Sequence, residues 1–278
     1  MSTQNALLTI LFEKVKNDTL VLPTLPAIAL EVRKAADDPE INLNKMADVI
    51  AKDPSLSARM IKIANSAYLG RTVKVESVSQ AVTRIGLRQI KHIATALAME
   101  QLFVSKNDII AKYLSQEWEK TVAVVANSMA VLQTYAARTK NKEKSLDALA
   151  LSALVHSIGV LPILTEAERH NDVFANPSFL EEAIKQTSGV IGGKIMEKWE
   201  FGPNFVAISK SWSDLSVVSD NIDYMDFVRI GAVLSGKMAQ QKDAVINAAI
   251  ERGVIESPSE LSTDEFSDMY NSALAIFA

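Results

Sequence analysis

Apolar residues recur along this chain at three- and four-residue intervals, and the first hundred residues carry no strong strand signal. Near the start, Leu7, Leu8, Leu11, Phe12 and Val15 predict a short amphipathic helix. LPTLP at Leu22 to Pro26 then forbids a continuous helix and makes a stiff, extended entry. Helices are predicted from about Ala27 to Ala36, and over Leu43, Met46, Ala47 and Ile50. Asp53-Pro54 restarts the chain, the acid as cap and the proline at the first helical position, before the stripe Leu56, Met60, Ile63 and Ala64. Ser77-Val78-Ser79-Gln80 reads as a capping box ahead of Ala81, Val82 and Ile85. Gly86 interrupts that pattern, and a helix from about Arg88 to Phe103 follows.

The polar segment Asp108 to Glu117 reads as a passage between two helical layers. From Glu119 to Arg138 a long helix carries Val122, Val125, Ala126, Met129 and Leu132 inward. The most apolar stretch, Leu146 to Leu161, predicts a buried helix capped by Ser145 and closed by Pro162, with the ionisable His156 near its end. Ser178 with Glu181 makes a second capping box, and Ser188 is expected to cap a segment reaching Trp199, which Gly202-Pro203 stops. Short helices follow over Phe205 to Trp212 and Tyr224 to Gln240, and Ser262 with Glu265 marks the last.

Composition agrees with an all-α fold. Of 278 residues 48% are apolar and only 6% aromatic, which favours helices over a β-sandwich. A net charge of −4 gives no overall electrostatic case for nucleic acid. The absence of cysteine excludes disulfides, thiolate metal sites and a cysteine nucleophile. The N-terminus lacks the features of a signal peptide, and Thr121 to Ala137, a long uncharged run, is too short and polar for a membrane span. A cytoplasmic protein with no membrane association is expected.

Two long ordered runs, DPSLSARMIKIANSAYLG at Asp53 to Gly70 and SVSQAVTRIGLRQIKHIA at Ser77 to Ala94, together with LPTLP and VHSIG at Val155 to Gly159, resemble the HDOD family. These are the HD-related output domains of bacterial signalling proteins. The resemblance spans roughly Leu20 to Trp212 and implies an all-helical fold, an N-terminal bundle packed on a degenerate HD-type bundle. The expected organisation is an amphipathic helix over 1–19, an HDOD domain over 20–212 (20–105 the N-terminal helical part, 116–212 the HD-like part) and a C-terminal helical extension over 213–278 packed on the domain.

An HD phosphohydrolase holds its metal with imidazoles and carboxylates from several helices, because a hard divalent cation needs such donors converging from more than one side. By the resemblance, the positions concerned hold Lys120 and Thr121, His156, Ser157 where the paired aspartate would stand, and Ser188. His156 is the sole ligand retained; Asp147 and Asp226 are acids an enzyme would have to recruit. No catalytic residue, bound metal or cofactor is therefore expected. His156 reads foremost as a core histidine, with Lys120, Thr121, Ser157 and Ser188 as the rest of a remnant cleft.

The implied function is a non-catalytic signalling or scaffold module that binds an unidentified protein partner, with a small ligand in the old cleft as a further expectation. The alternative is a metal-dependent HD-type phosphohydrolase acting on a nucleotide or phosphodiester. A candidate partner surface comprises Asn65, Ser66 and Tyr68 at a helix end, and the basic strip Arg84, Arg88 and Lys91, spaced four and three apart. The strip raises nucleic-acid binding as a third expectation, ranked below a solvated helical face. Gly189, Gly192 and Gly193 read as close helix packing or, less well, an anion site. Sequence leaves the oligomeric state open.

Overall fold

The structure, a computed structural model, describes residues 4–66, 69, 73–169 and 177–277. Tyr68, Gly70 and His170 lie outside the described residues. All regular structure among the described residues is helical: α1 (Gln4–Lys16), α2 (Ala27–Ala36), α3 (Leu43–Ala51), α4 (Pro54–Ala64), α5 (Val78–Ile85), α6 (Leu87–Ala98), α7 (Asp108–Thr139), α8 (Leu146–Val155), α9 (Val160–Ala167), α10 (Pro177–Lys198), α11 (Pro203–Ser211), α12 (Tyr224–Leu234), α13 (Lys242–Glu251) and α14 (Asp264–Phe277), with short 3-10 turns between some of them. The residues group into two compact units, one of Met1–Thr24, Leu102–Thr121 and Val155–Ser219, the other of Leu25–Gln101, Val122–Leu154 and Asp220–Ala278.

In the first unit α10 packs on α11, α9 and α1. Leu7 and Leu11 bury the inner face of α1. Its polar side is tied down where Lys14 Nζ meets Glu166 Oε1 at 2.7 Å and Lys194 Nζ donates to the Val15 carbonyl at 2.9 Å. The stiff proline entry is anchored by the Trp199 indole N–H, which donates to the Pro23 carbonyl at 3.0 Å.

The second unit is built on the stripes read from the sequence. Met46, Ile50, Met60, Ile63 and Val82 are all buried, joined by Val32, Ile90 and Leu97, and α2 packs on α6 while α5 packs on α3 and α4. Asp53 caps α4 by accepting from the Leu56 amide at 2.9 Å, with Pro54 in the first turn. The box at Ser77 is half formed: Ser77 Oγ accepts from Gln80 N, but the Gln80 amide oxygen takes the Glu76 N–H. Gly86, at φ +87°, ends α5 and starts α6, which is why the two cannot be one helix. Asp223 and Asp226 form a full capping box on α12 that the sequence reading missed.

Several boundaries differ from expectation. Asp108 to Glu117 forms the first turns of the 32-residue α7. Asn107 caps it, accepting from the Ile109 and Ile110 amides, and Ile110 and Leu114, four apart, are buried beneath the polar outer face. Ser188 lies inside α10 and caps nothing. Pro162 falls in the first turn of α9, where its missing N–H costs nothing, and the buried helix ends earlier, at Val155. Thr263, one residue after Ser262, caps the last helix by accepting from Phe266 N at 3.1 Å. The helix from Tyr224 stops at Leu234, ahead of Gly236 at φ +82°.

The segment Leu146–Ala167 has the length and apolarity of a membrane span, with a mean hydropathy of 1.9, but 89% of its most apolar window is buried inside the structure. Core burial accounts for that apolarity.

Candidate functional site

The HD-like positions of the first unit gather at the turn between α8 and α9. Residues 156–159 turn by bonds between residues three apart: Ile158 N donates to the Val155 carbonyl and Val160 N to the Ser157 carbonyl. This tightening leaves the carbonyl at the end of α8 partly unserved, and Ser209 Oγ of α11 donates to the Val155 oxygen at 2.9 Å. The His156 ring, 1% exposed, stands edge-on to Trp212 with centroids 4.7 Å apart. Next to it Ser157 Oγ donates to Glu117 Oε1 at 2.7 Å, and Thr121 Oγ1 lies 3.4 Å from the same hydroxyl. Glu117 and Thr121 are four apart on α7 and so share one face. Lys120, between them in sequence, is exposed.

Ser188 meets the turn through its backbone. A Cβ at Gly159 would lie 1.9 Å from the Ser188 carbonyl oxygen and 2.7 Å from Gly192 N. A Cβ at Gly189 would come within 2.4 Å of the Lys210 carbonyl, and one at Gly192 within 3.0 Å of that of Ser209. The glycines of α10 thus serve close packing of α10 against the turn and α11, and their amides are taken up within the helix.

A divalent cation would need several imidazole or carboxyl donors converging on one point. Among the described residues no group of three or more His, Asp or Glu side chains is placed to hold one. At the turn Glu117 is engaged by a serine hydroxyl and the imidazole is packed on an indole. The donor set among the described residues does not fit an HD-type metal. Glu117 lies in a segment polar enough to read as a passage, and the signal that marks it is its four-residue spacing from Thr121.

In the second unit the candidate partner surface divides. Asn65 makes a paired contact with Val75, its Nδ2 donating to the carbonyl and its Oδ1 accepting from the amide, both at 2.7 Å. Arg84 donates to the carbonyls of Ala64 at 3.0 Å and Val73 at 2.6 Å. These two side chains hold the extended 73–75 segment to the end of α4. Ser66 Oγ donates to the Ile63 carbonyl. Lys91 pairs with Asp37 at 2.5 Å, whereas Arg88 is exposed. Asp147, an acid that an enzyme might have recruited, instead meets His92 Nδ1 at 2.6 Å. Asp226 pairs with Arg252.

Comparison with known proteins places this architecture. The chain is 38% identical to a protein of Shewanella amazonensis SB2B described as a "Putative metal-dependent phosphohydrolase", whose crystal structure matches with a TM-score of 0.94 over 100% of both chains. It shares its fold with a "Putative signal transduction protein" of Marinobacter aquaeolei VT8, at 19% identity and a TM-score of 0.61 over 99% of this chain and 65% of that one. An "Uncharacterized protein" of Treponema pallidum (strain Nichols) is 29% identical over 87 residues, 31% of this chain and only 17% of that relative's length. The family model of the HDOD domain matches residues 22–213, and the chain belongs to the HDOD domain family.

Proposed function

We propose that this HDOD protein is a non-catalytic signalling or scaffold module of the bacterial cytoplasm, working by recognition of a protein partner. One observation carries the proposal: the position of the HD aspartate is held by Ser157, whose hydroxyl donates to Glu117 at 2.7 Å, and among the described residues no group of three or more His, Asp or Glu side chains is placed to hold a metal. A degenerate HD site of this kind keeps the helical scaffold and gives up the means to activate water or polarise a phosphoryl group. The fold shared with a protein described as acting in signal transduction supports the same reading.

A second reading is a metal-dependent phosphohydrolase acting on a nucleotide or phosphodiester, favoured by the description of the 38% identical Shewanella protein. Metal analysis of protein purified without chelator separates the two. The proposal expects no stoichiometric manganese, iron, nickel or zinc, and no turnover of a generic phosphodiester above a heat-treated control. Near-stoichiometric metal lost on His156→Ala, together with turnover, overturns it.

Nucleic-acid binding draws little support, since Arg84 and Lys91 are engaged within the fold. Retention on mixed DNA that falls steeply with salt would revive it.

A further inference from the structure

The second unit contains a cavity of about 360 Å³, at the lower end of the range small ligands use, roughly 300–1,000 Å³. Its apolar wall is formed by Ile85, Ile93 of α6, Leu132 and Ala136 of α7, and Leu146 at the start of α8, and Gln89, Gln133 and Ser145 add polar groups to the lining. Lys142 and Lys144, on the turn that leads into α8, line the same cavity. Neither lysine has an acidic partner among the described residues.

One acid also lines the cavity, Asp147, but its carboxyl is taken by His92 Nδ1 at 2.6 Å and it sits in the first turn of α8. An aliphatic hollow beside two unpaired ammonium groups is complementary to a ligand with a hydrocarbon body and an anionic head. Among the described residues no aromatic ring lines the cavity to stack on a nucleobase.

We propose that this cavity binds a small aliphatic carboxylate of medium chain length, its hydrocarbon against Ile85, Ile93 and Leu132 and its carboxylate on Lys142 and Lys144. The inference is independent of the chemistry at Ser157 and stands whether or not the protein turns over a substrate.

Calorimetric titration of the full chain with butanoate, hexanoate and octanoate tests it, with 1-octanol as the uncharged probe. Affinity should rise about fourfold per added methylene until the cavity is filled, the factor that roughly 0.8 kcal/mol per buried CH₂ gives. Octanoate should bind more tightly than 1-octanol. In Lys142→Ala/Lys144→Ala the octanoate affinity should fall about tenfold, two- to fivefold for each surface charge removed, while 1-octanol is unaffected. Ala136→Leu, which fills the hollow, should weaken both ligands, with the far-UV spectrum unchanged. Absence of saturable octanoate binding at millimolar concentration, no dependence on chain length, or wild-type octanoate affinity in the double lysine variant each overturns the proposal.

Discussion

Replacing Gly159 by alanine tests how tightly the α8–α9 turn is closed. The glycine has φ −65°, comfortable for any residue, so no backbone strain enters. The cost is steric alone. Its new Cβ would lie 1.9 Å from the Ser188 carbonyl oxygen and 2.8 Å from the Ser188 carbonyl carbon, both backbone atoms inside α10. A flexible side chain could swing aside; a helix carbonyl moves only if α10 moves, and α10 is packed on α11, α9 and α1. Overpacking costs about 1–3 kcal/mol where the surroundings give, so about 3 kcal/mol or more is expected here. The glycines of α10 supply internal controls. Gly189→Ala meets the Lys210 carbonyl at 2.4 Å and should lose about 1–2 kcal/mol, the clash being offset by the roughly 1 kcal/mol that alanine gains over glycine in a helix. Gly192→Ala, at 3.0 Å from the Ser209 oxygen, should come out near neutral. Gly193→Ala meets only the Lys210 side chain, at 3.4 Å and beyond, and should be stabilised by about 0.5–1 kcal/mol. Urea unfolding followed by far-UV circular dichroism gives the midpoints, read at constant slope. A Gly159→Ala midpoint equal to that of Gly193→Ala would refute the reasoning, because it would mean that the contacts of the turn are loose enough to admit a side chain.

Glu117→Ala removes the acceptor of the buried Ser157 hydroxyl and should cost about 1–2 kcal/mol, whereas Glu117→Gln keeps an accepting oxygen and should lose less than half of that; equal losses in urea unfolding would deny the bond any part. His92→Ala leaves the buried Asp147 carboxyl without its 2.6 Å partner and should cost about 1.5–3 kcal/mol, with clear coupling in a double-mutant cycle with Asp147→Ala; additive losses would contradict it. The hydrogen bond from Lys194 and that ammonium's charge hold the Asp18 carboxyl below its ordinary range. Because the folded value is the lowered one, the stabilisation is present above the ordinary carboxyl range and is lost as pH falls through the lowered value. An NMR titration should find Asp18 titrating higher in Lys194→Met than in the wild type, and an unchanged midpoint would rule the pair out as the cause.

Much of the fold was legible because helical stripes are local. Leu56, Met60, Ile63 and Ala64 report their shared face through spacing alone, and the structure buries all four. Caps were legible where the capping side chain is the nearest one available, as at Asp53. The errors arose where composition was allowed to outweigh spacing. Asp108 to Glu117 is polar enough to pass for a connection, yet Ile110 and Leu114 carry the four-residue interval that extends α7 backward. Ser188 precedes a glycine and looks like a helix start only if the glycines behind it are taken as breaks; close packing against Lys210 is what they serve.

Long-range pairing was out of reach for a different reason. The partners of Arg84 are the backbone oxygens of Ala64 and Val73, that of Lys91 is Asp37, and His92 finds Asp147 55 positions later. Spacing tells which side chains share a face and says nothing of what faces them, so a strip of three cations looked more available than it is. The same limit governs the turn at His156. A motif compares residue with residue at matching positions, and at Ser157 it registers the loss of a carboxyl. It has no means of noticing that a carboxyl returns from another helix, because Glu117 answers to no motif position. That carboxyl reaches the serine hydroxyl at 2.7 Å, so the hydroxyl that stands at this motif position finds its acceptor on a different helix, as a buried polar group must find one somewhere.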